Sequence, residues 1–312
     1  MKNAILMFCL AFATTLHAQI FRDVKVRAVE GTQAGDVRTA GLSADGRYAF
    51  TTSQTNRGLC RIDLETGRAE VLTADEGAGY QPAVSADGQH VLVRSTTFGT
   101  DRLRRTSVHL IDTQAGTSEQ LLAPSREQGA FAFADGEAVL VKENGLNRRR
   151  VRAKRHAEER PLVYLDDELQ LMIRRGDATE QLSPNGNDED TRYLWPSLSP
   201  DGRHILYYVC EEGAYVCDVN GENVQFLSAR LQAPQWYDDN TIVGMDARDD
   251  GEFFLSSCIV AMDLQGHRQQ LTDPALGLMY PYCSAEARRI VCSRLSGEVM
   301  MIEVSLTHPT TK

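Results

Sequence analysis

The chain has 312 residues, with 43 acidic and 33 basic side chains and a formal net charge of -10. That balance favours solubility and argues against a general affinity for nucleic acid or anionic lipid. The length suits one large all-β domain or two ordinary ones.

Residues 1–18 read as a secretory signal peptide: a short basic start (Met1-Lys2), an apolar run from Ala4 to Ala13, and "TLHA" before Gln19. Cleavage is expected after Ala18, which places the mature chain in the periplasm or outside the cell. The apolar run is too short to span a membrane, and no later window reaches that length, so no membrane insertion is expected.

From residue 19 onward one sentence is repeated. Asp45 in "AGLSADG", Asp87 in "PAVSADG", Asp135 in "AFAFADG" and Asp201 in "PSLSPDG" align, followed by weaker copies at Asp239 and Glu286. Five residues before each stand Ala40, Pro82, Ala130, Pro196, Pro234 and Pro281. An alternating apolar run follows each turn ("YAFTT", "HVLVR", "AVLVK", "HILYY", "TIVGM", "RIVCS"), the pattern of a strand. A second pattern then recurs: a strand ending at Asp63, Asp112, Asp218 or Asp263, a glycine three or four residues later, and a closing strand.

Four antiparallel strands in about forty residues is the signature of a β-propeller blade. The fold class is therefore all-β: a six-bladed propeller of four-stranded antiparallel blades over 19–312, a single domain. The blades fall at about 37–73, 80–122, 130–183, 194–228, 232–272 and 279–306. The last unit supplies only three strands, and the strand at 20–30 is expected to complete it, closing the ring without a raw edge. The interval from Asp135 to Asp201 is much longer than the others and contains the charged stretch 147–161, read as a solvated extension.

Asp-Gly is a turn device before it is anything else. Aspartate bonds the backbone two residues on, and glycine accepts a positive φ. In "CEEGAYVC", a two-residue turn at Gly213-Ala214 would set Cys210 opposite Cys217, a possible disulfide; the other reading makes these cysteines small apolar fillers.

The unit "PSLSPDGRHILY" followed by "YVCDVNGENVQFLS" resembles the WD40-like (PD40) propeller repeat of the TolB family. It is also similar to the propellers that cap prolyl oligopeptidases and dipeptidyl peptidases. The resemblance covers nearly all of 20–306 and implies a six-bladed ring whose first strands line the channel. It implies a periplasmic protein that binds protein partners without catalysis. It does not extend to the N-terminal α/β domain of TolB.

No catalytic constellation emerges. Gly41-Leu42-Ser43-Ala44-Asp45 fails the nucleophile-elbow pattern at its last position, and the blades leave no span for a hydrolase domain. The histidines make no ligand-spaced pair, and neither "NGNDEDT" (185–191) nor "DARDDGE" (246–252) has the grammar of a calcium loop, so no metal or cofactor is expected. What remains is the channel mouth, where Tyr80, Gln81, Trp195 and Tyr280 precede the inner strands. Aromatic groups at a concave mouth suit peptide or glycan contact, and a protein or peptide partner is expected; packing against the neighbouring blade is the plainer role for Trp195 and Tyr280. Trp236 occupies a position that should face the next blade. A carbohydrate-active enzyme, lyase or hydrolase, with its site at the mouth is the alternative.

Overall fold

In the computed structural model, the residues described are 19–30, 37–126, 130–134, 137–142, 145–150, 160–186 and 190–306. The leader at 1–18 and most of the basic segment, at 151–159, lie outside them. The first strand is β1 (Phe21–Ala28). Blade 1 follows as β2 (Val37–Leu42), β3 (Tyr48–Ser53), β4 (Leu59–Asp63) and β5 (Ala69–Thr73). Blade 2 is β6 (Ala83–Val84), β7 (His90–Phe98), β8 (Arg104–Asp112) and β9 (Thr117–Ser125). The third unit holds β10 (Phe131–Ala134), β11 (Glu137–Lys142), β12 (Gly145–Arg150), β13 (Leu162–Leu165), β14 (Leu171–Arg175) and β15 (Ala178–Leu182). Blade 4 is β16 (Tyr193–Leu198), β17 (His204–Val209), β18 (Gly213–Asp218) and β19 (Gln225–Ser228). Blade 5 is β20 (Gln232–Trp236), β21 (Thr241–Asp249), β22 (Phe254–Asp263) and β23 (Arg268–Gln270). Blade 6 contains β24 (Leu278–Ser284), β25 (Arg289–Arg294) and β26 (Val299–Leu306). Among the described residues the one helical element is a 3-10 turn, Pro274–Leu276.

The structure is an all-β propeller of six repeat units, with antiparallel four-stranded blades and the chain ends zipped together. β1 is the outermost strand of blade 6 and pairs antiparallel with β26, from Phe21 opposite Leu306 to Ala28 opposite Met300. Phe21 is fully buried, its ring edge-on to Tyr237 of blade 5 at 4.9 Å. The third unit alone departs from four strands. It is built as two three-stranded sheets, β10-β11-β12 and β13-β14-β15, so seven sheets stand around the axis. The long Asp135–Asp201 interval supplies the extra sheet, and β13 packs beside β16 as an inner strand does in the other units.

Position within a blade dictates composition. Middle strands are covered on both faces by neighbouring blades, so their apolar residues run consecutively: Val91, Leu92 and Val93 on β7, and Ile205, Leu206 and Tyr207 on β17, are each at most 1% exposed. Outer strands such as β5 and β23 are polar and exposed. The core is accordingly divided into clusters between successive blades. Phe50 and Leu59 meet Val91 and Val93 between blades 1 and 2; Leu206 and Val216 meet Ile242 and Val260 between blades 4 and 5. Such clusters occupy six seams of the ring. Among the described residues none joins the two sheets of the third unit.

Candidate functional site

The two faces of the ring are built from different parts of the repeat. The inner strands β2, β6 and β16 each end in an S-x-D-G turn, and these three copies make the same bonds. Ser43 Oγ donates to Asp45 (2.5 Å), Ser85 Oγ to Asp87 (2.8 Å) and Ser199 Oγ to Asp201 (2.6 Å). The same hydroxyls accept the backbone N–H of Tyr48, His90 and His204, each at 2.9 Å. Gly46, Gly88 and Gly202 take φ of 66°, 66° and 75°. Neighbouring turns are tied around the ring: Asp45 N–H donates to the Ala86 carbonyl, Ser284 Oγ to the Ala44 carbonyl, and Asp201 N–H to Asp239. The D-x-x-G turns behave alike. Asp112 accepts the N–H groups of Ala115 and Gln114, both at 2.9 Å, and these bonds, Ala115 foremost, hold its carboxyl below the usual range. The repeated carboxylates are occupied with their own turns.

The opposite face gathers the starts of the inner strands and carries the four mouth residues named from sequence. Tyr80 is 41% exposed and Gln81 is exposed. Trp195 and Tyr280 are half-buried against the same apolar cluster between blades 5 and 6, with Trp195 edge-on to Tyr208 at 5.4 Å. Gln81, Trp195, Ala233 and Tyr280 have φ of 47°, 48°, 44° and 53°. Each precedes a proline, and Trp195, Ala233 and Tyr280 sit at breaks in the ladder between the inner strand and its neighbour. Non-glycine residues resist this conformation, at about 1–3 kcal/mol each. A bulge re-aims side chains and main-chain groups. Here the Tyr280 carbonyl accepts from Thr39 Oγ1 of blade 1 (2.5 Å), and the Tyr280 N–H points at Met245 Sδ (3.5 Å).

Two arginines that sequence reading missed complete the mouth. Arg94, on β7, is 8% exposed, lies over the rings of Phe131 (4.3 Å) and Tyr80 (5.5 Å), and donates through Nη1 to the carbonyls of Tyr80 (3.1 Å) and Gln81 (3.5 Å). Burial pulls its guanidinium down to about 10, still charged at neutral pH. Arg38, on β2, lies over the Tyr280 ring (5.2 Å) and bonds Asn56, whose carbonyl accepts from Gly79 beside Tyr80. Arginine thus links Tyr280 to Tyr80 across blades 6, 1 and 2. Arg38 adjoins Thr39 in sequence and could have been found there; Arg94 sits on a second strand, where nothing in the repeat marks it.

Two expectations concern other positions. The blade 4 hairpin turns at 210–212, not at Gly213-Ala214: Val209 faces Gly213, and Cys217 faces Ile205. Cys210 therefore lies in the turn, away from Cys217, and both thiols are free, which corrects the proposed disulfide. Burial pushes the Cys217 thiol up to about 12, consistent with a small apolar filler. Trp236 packs against the core between blades 4 and 5 and donates its indole N–H to the Ser197 carbonyl of blade 4 (3.3 Å). In "DARDDGE", Asp246 pairs with Arg230 and Arg268, while Asp249 and Asp250 cap their own turn. Residues 187–189 of "NGNDEDT" lie outside the described residues. Among the described residues no three His, Cys, Asp or Glu side chains converge as a metal-binding group.

No protein-family model and no curated protein sequence matches the chain. Solved structures do. A structure described as "putative TolB" from Agrobacterium tumefaciens aligns over 94% of this chain and 100% of that one, with TM-score 0.53 and 13% identity. A protein of unknown function from Bacteroides thetaiotaomicron aligns over 91% and 76%, with TM-score 0.53 and 13% identity. TolB from Acinetobacter baumannii aligns over 86% of this chain and 56% of its own, with TM-score 0.47 and 14% identity, so the chain spans little more than half of that protein. At these identities the likeness is one of fold: the chain is built as the TolB-like propellers are.

Proposed function

We propose that this protein is a non-catalytic docking module of the cell envelope, exported to the periplasm or beyond, which binds a protein or peptide at the mouth formed by Tyr80, Gln81, Trp195 and Tyr280. The observation that carries this reading is the repeated left-handed backbone there. Strain of this kind is retained where a surface must present particular groups, and the non-glycine residues Gln81, Trp195 and Tyr280 hold it beside an exposed tyrosine. A leader-like N-terminus and the TolB-like fold support the envelope setting.

Tyr80 and Gln81 are the informative positions, because their side chains are exposed and can be replaced without opening the core. Capture from envelope extracts is expected to recover a partner with the wild-type chain and to lose it with Tyr80→Ala/Gln81→Ala, a chain that still melts cooperatively and gives up about 0.5–1 kcal/mol with the Arg94–Tyr80 contact. Equal recovery from the two would overturn the reading.

A further inference from the structure

Two hairpins on the mouth face are longer than the rest. β7 and β8 of blade 2 have nine residues each, and β21 and β22 of blade 5 have nine and ten, against six in β3 and β17. Three extra residues on a strand add about 10 Å, so both hairpins stand above the ring as posts. Both turn back on the mouth face, because second-to-third-strand turns lie opposite the S-x-D-G turns. In the ring of seven sheets, blades 2 and 5 are separated by three sheets on one side and two on the other, which sets the posts nearly across the axis from each other.

Their tips share one apolar design and differ in charge. Phe98 (68% exposed) and Leu103 (42%) top the first; Phe253 (62%) and Leu255 (61%) top the second. Around Phe98 stand Arg102, Arg104 and Arg105 with one acid, Asp101, clamped by Arg105 at 2.6 and 2.8 Å. Around Phe253 stand Asp249, Asp250 and Glu252 with one base, Arg248. A basic apolar post and an acidic apolar post on one face form a self-complementary pair. A two-fold axis lying across the ring would bring the basic post of each copy onto the acidic post of the other, making both contacts at once. Because both posts rise from the same face, the assembly closes at two copies and leaves no free end for a filament.

We propose that the occupant of these posts is a second copy of this chain, giving a face-to-face dimer held by the blade 2 and blade 5 hairpins. The contact is made by residues outside the four named for the mouth but turns the two mouths toward each other across the space between the posts; its test reads molar mass alone, so its failure is distinguishable from failure of the docking function. Charge complementarity selects a second copy over a lipid surface, since anionic headgroups would repel the acidic post.

The test uses two charge-reversed chains and the molar mass in solution. Arg102→Glu/Arg104→Glu makes both posts acidic; Asp249→Lys/Glu252→Lys makes both basic. The wild-type chain is expected to sediment at twice its monomer mass, each variant alone at the monomer mass, and an equimolar mixture of the two again at twice that mass. Recovery in the mixture cannot arise from misfolding, so a folding defect in one variant cannot imitate it. A monomeric wild type, variants that dimerise as the wild type does, or a mixture that stays monomeric would each overturn the proposal.

Discussion

The two faces of this propeller are made by the same repeat and obey different rules. On the S-x-D-G face the three full copies make the same bonds within their own turns, and several neighbouring turns are bonded to each other. On the mouth face the copies diverge: a glutamine, a tryptophan, an alanine and a tyrosine share one strained conformation while presenting four different side chains. Among the described residues, exposed large apolar side chains divide the same way. Tyr80, Phe98, Leu103, Phe253, Leu255 and Leu295 lie at the mouth face, and the remainder, Val26, Val71, Val224 and Phe226, lie on or beside outer strands. Repetition marks the face that holds the ring together, and divergence marks the face free to recognise something.

The largest effect is expected where the mouth is also structural. Trp195→Ala removes a half-buried ring from the blade 5–6 cluster and is expected to cost about 3 kcal/mol, read as a shift of the denaturation midpoint. A negligible change would mean that Trp195 is held only for recognition, sharpening the contrast between the faces.

Next comes the turn face. Ser199 is 1% exposed, and Ser199→Ala strands the His204 N–H and leaves Asp201 only the Arg203 N–H as a turn donor, at a cost of about 1–3 kcal/mol. Ser85→Ala is expected to behave the same way, and a difference between them would break the equivalence of the copies. The turn carboxylates also set an acid limit. Asp112, held low chiefly by the Ala115 N–H, and Asp201 and Asp218, where backbone and side-chain donors outweigh burial, all have folded values below the unfolded one. Their stabilisation is complete above the unfolded value of about 4 and is lost as pH falls through the lower folded values. Thermal melts from pH 7 down to 3 should fall along that limb, and a flat profile would contradict the assignment.

Gln81→Gly should produce the smallest shift, and of opposite sign. Glycine accepts the φ of 47° without strain, and the Gln81 side chain is exposed, so little packing is lost. After the unfolded-state entropy of glycine is set against the relieved strain, the chain is expected to gain between 0 and about 1 kcal/mol. A clear loss would show that the side chain is part of the fold.

The contrast also explains what could be read in advance. The S-x-D-G and D-x-x-G turns are local, each completed within five residues, so their chemistry is spelled out in consecutive letters and fixes the propeller and its closure by β1. The third unit was harder. "FAFADGEAVLVK" reads as the opening of an ordinary blade, and the long interval to Asp201, read as a solvated extension, instead supplies β12 and the second sheet. Cys210 and Cys217 misled because hairpin register depends on a turn of 210–212, which Gly213 disguises. At the mouth, the residue before each proline was visible, but Arg94 reaches Tyr80 and Phe131 through blade stacking, a contact between chain segments that no spacing announces.

The division between faces can be put to one paired measurement: denaturation midpoint and partner capture for Ser199→Ala and Tyr80→Ala side by side. Ser199→Ala is expected to lower the midpoint and keep the partner, while Tyr80→Ala, which gives up only the cation–π contact with Arg94, worth about 0.5–1 kcal/mol, is expected to lower it less and lose the partner. A Tyr80→Ala chain that captures as the wild type does, or a Ser199→Ala chain that loses the partner with its midpoint unchanged, would contradict that division.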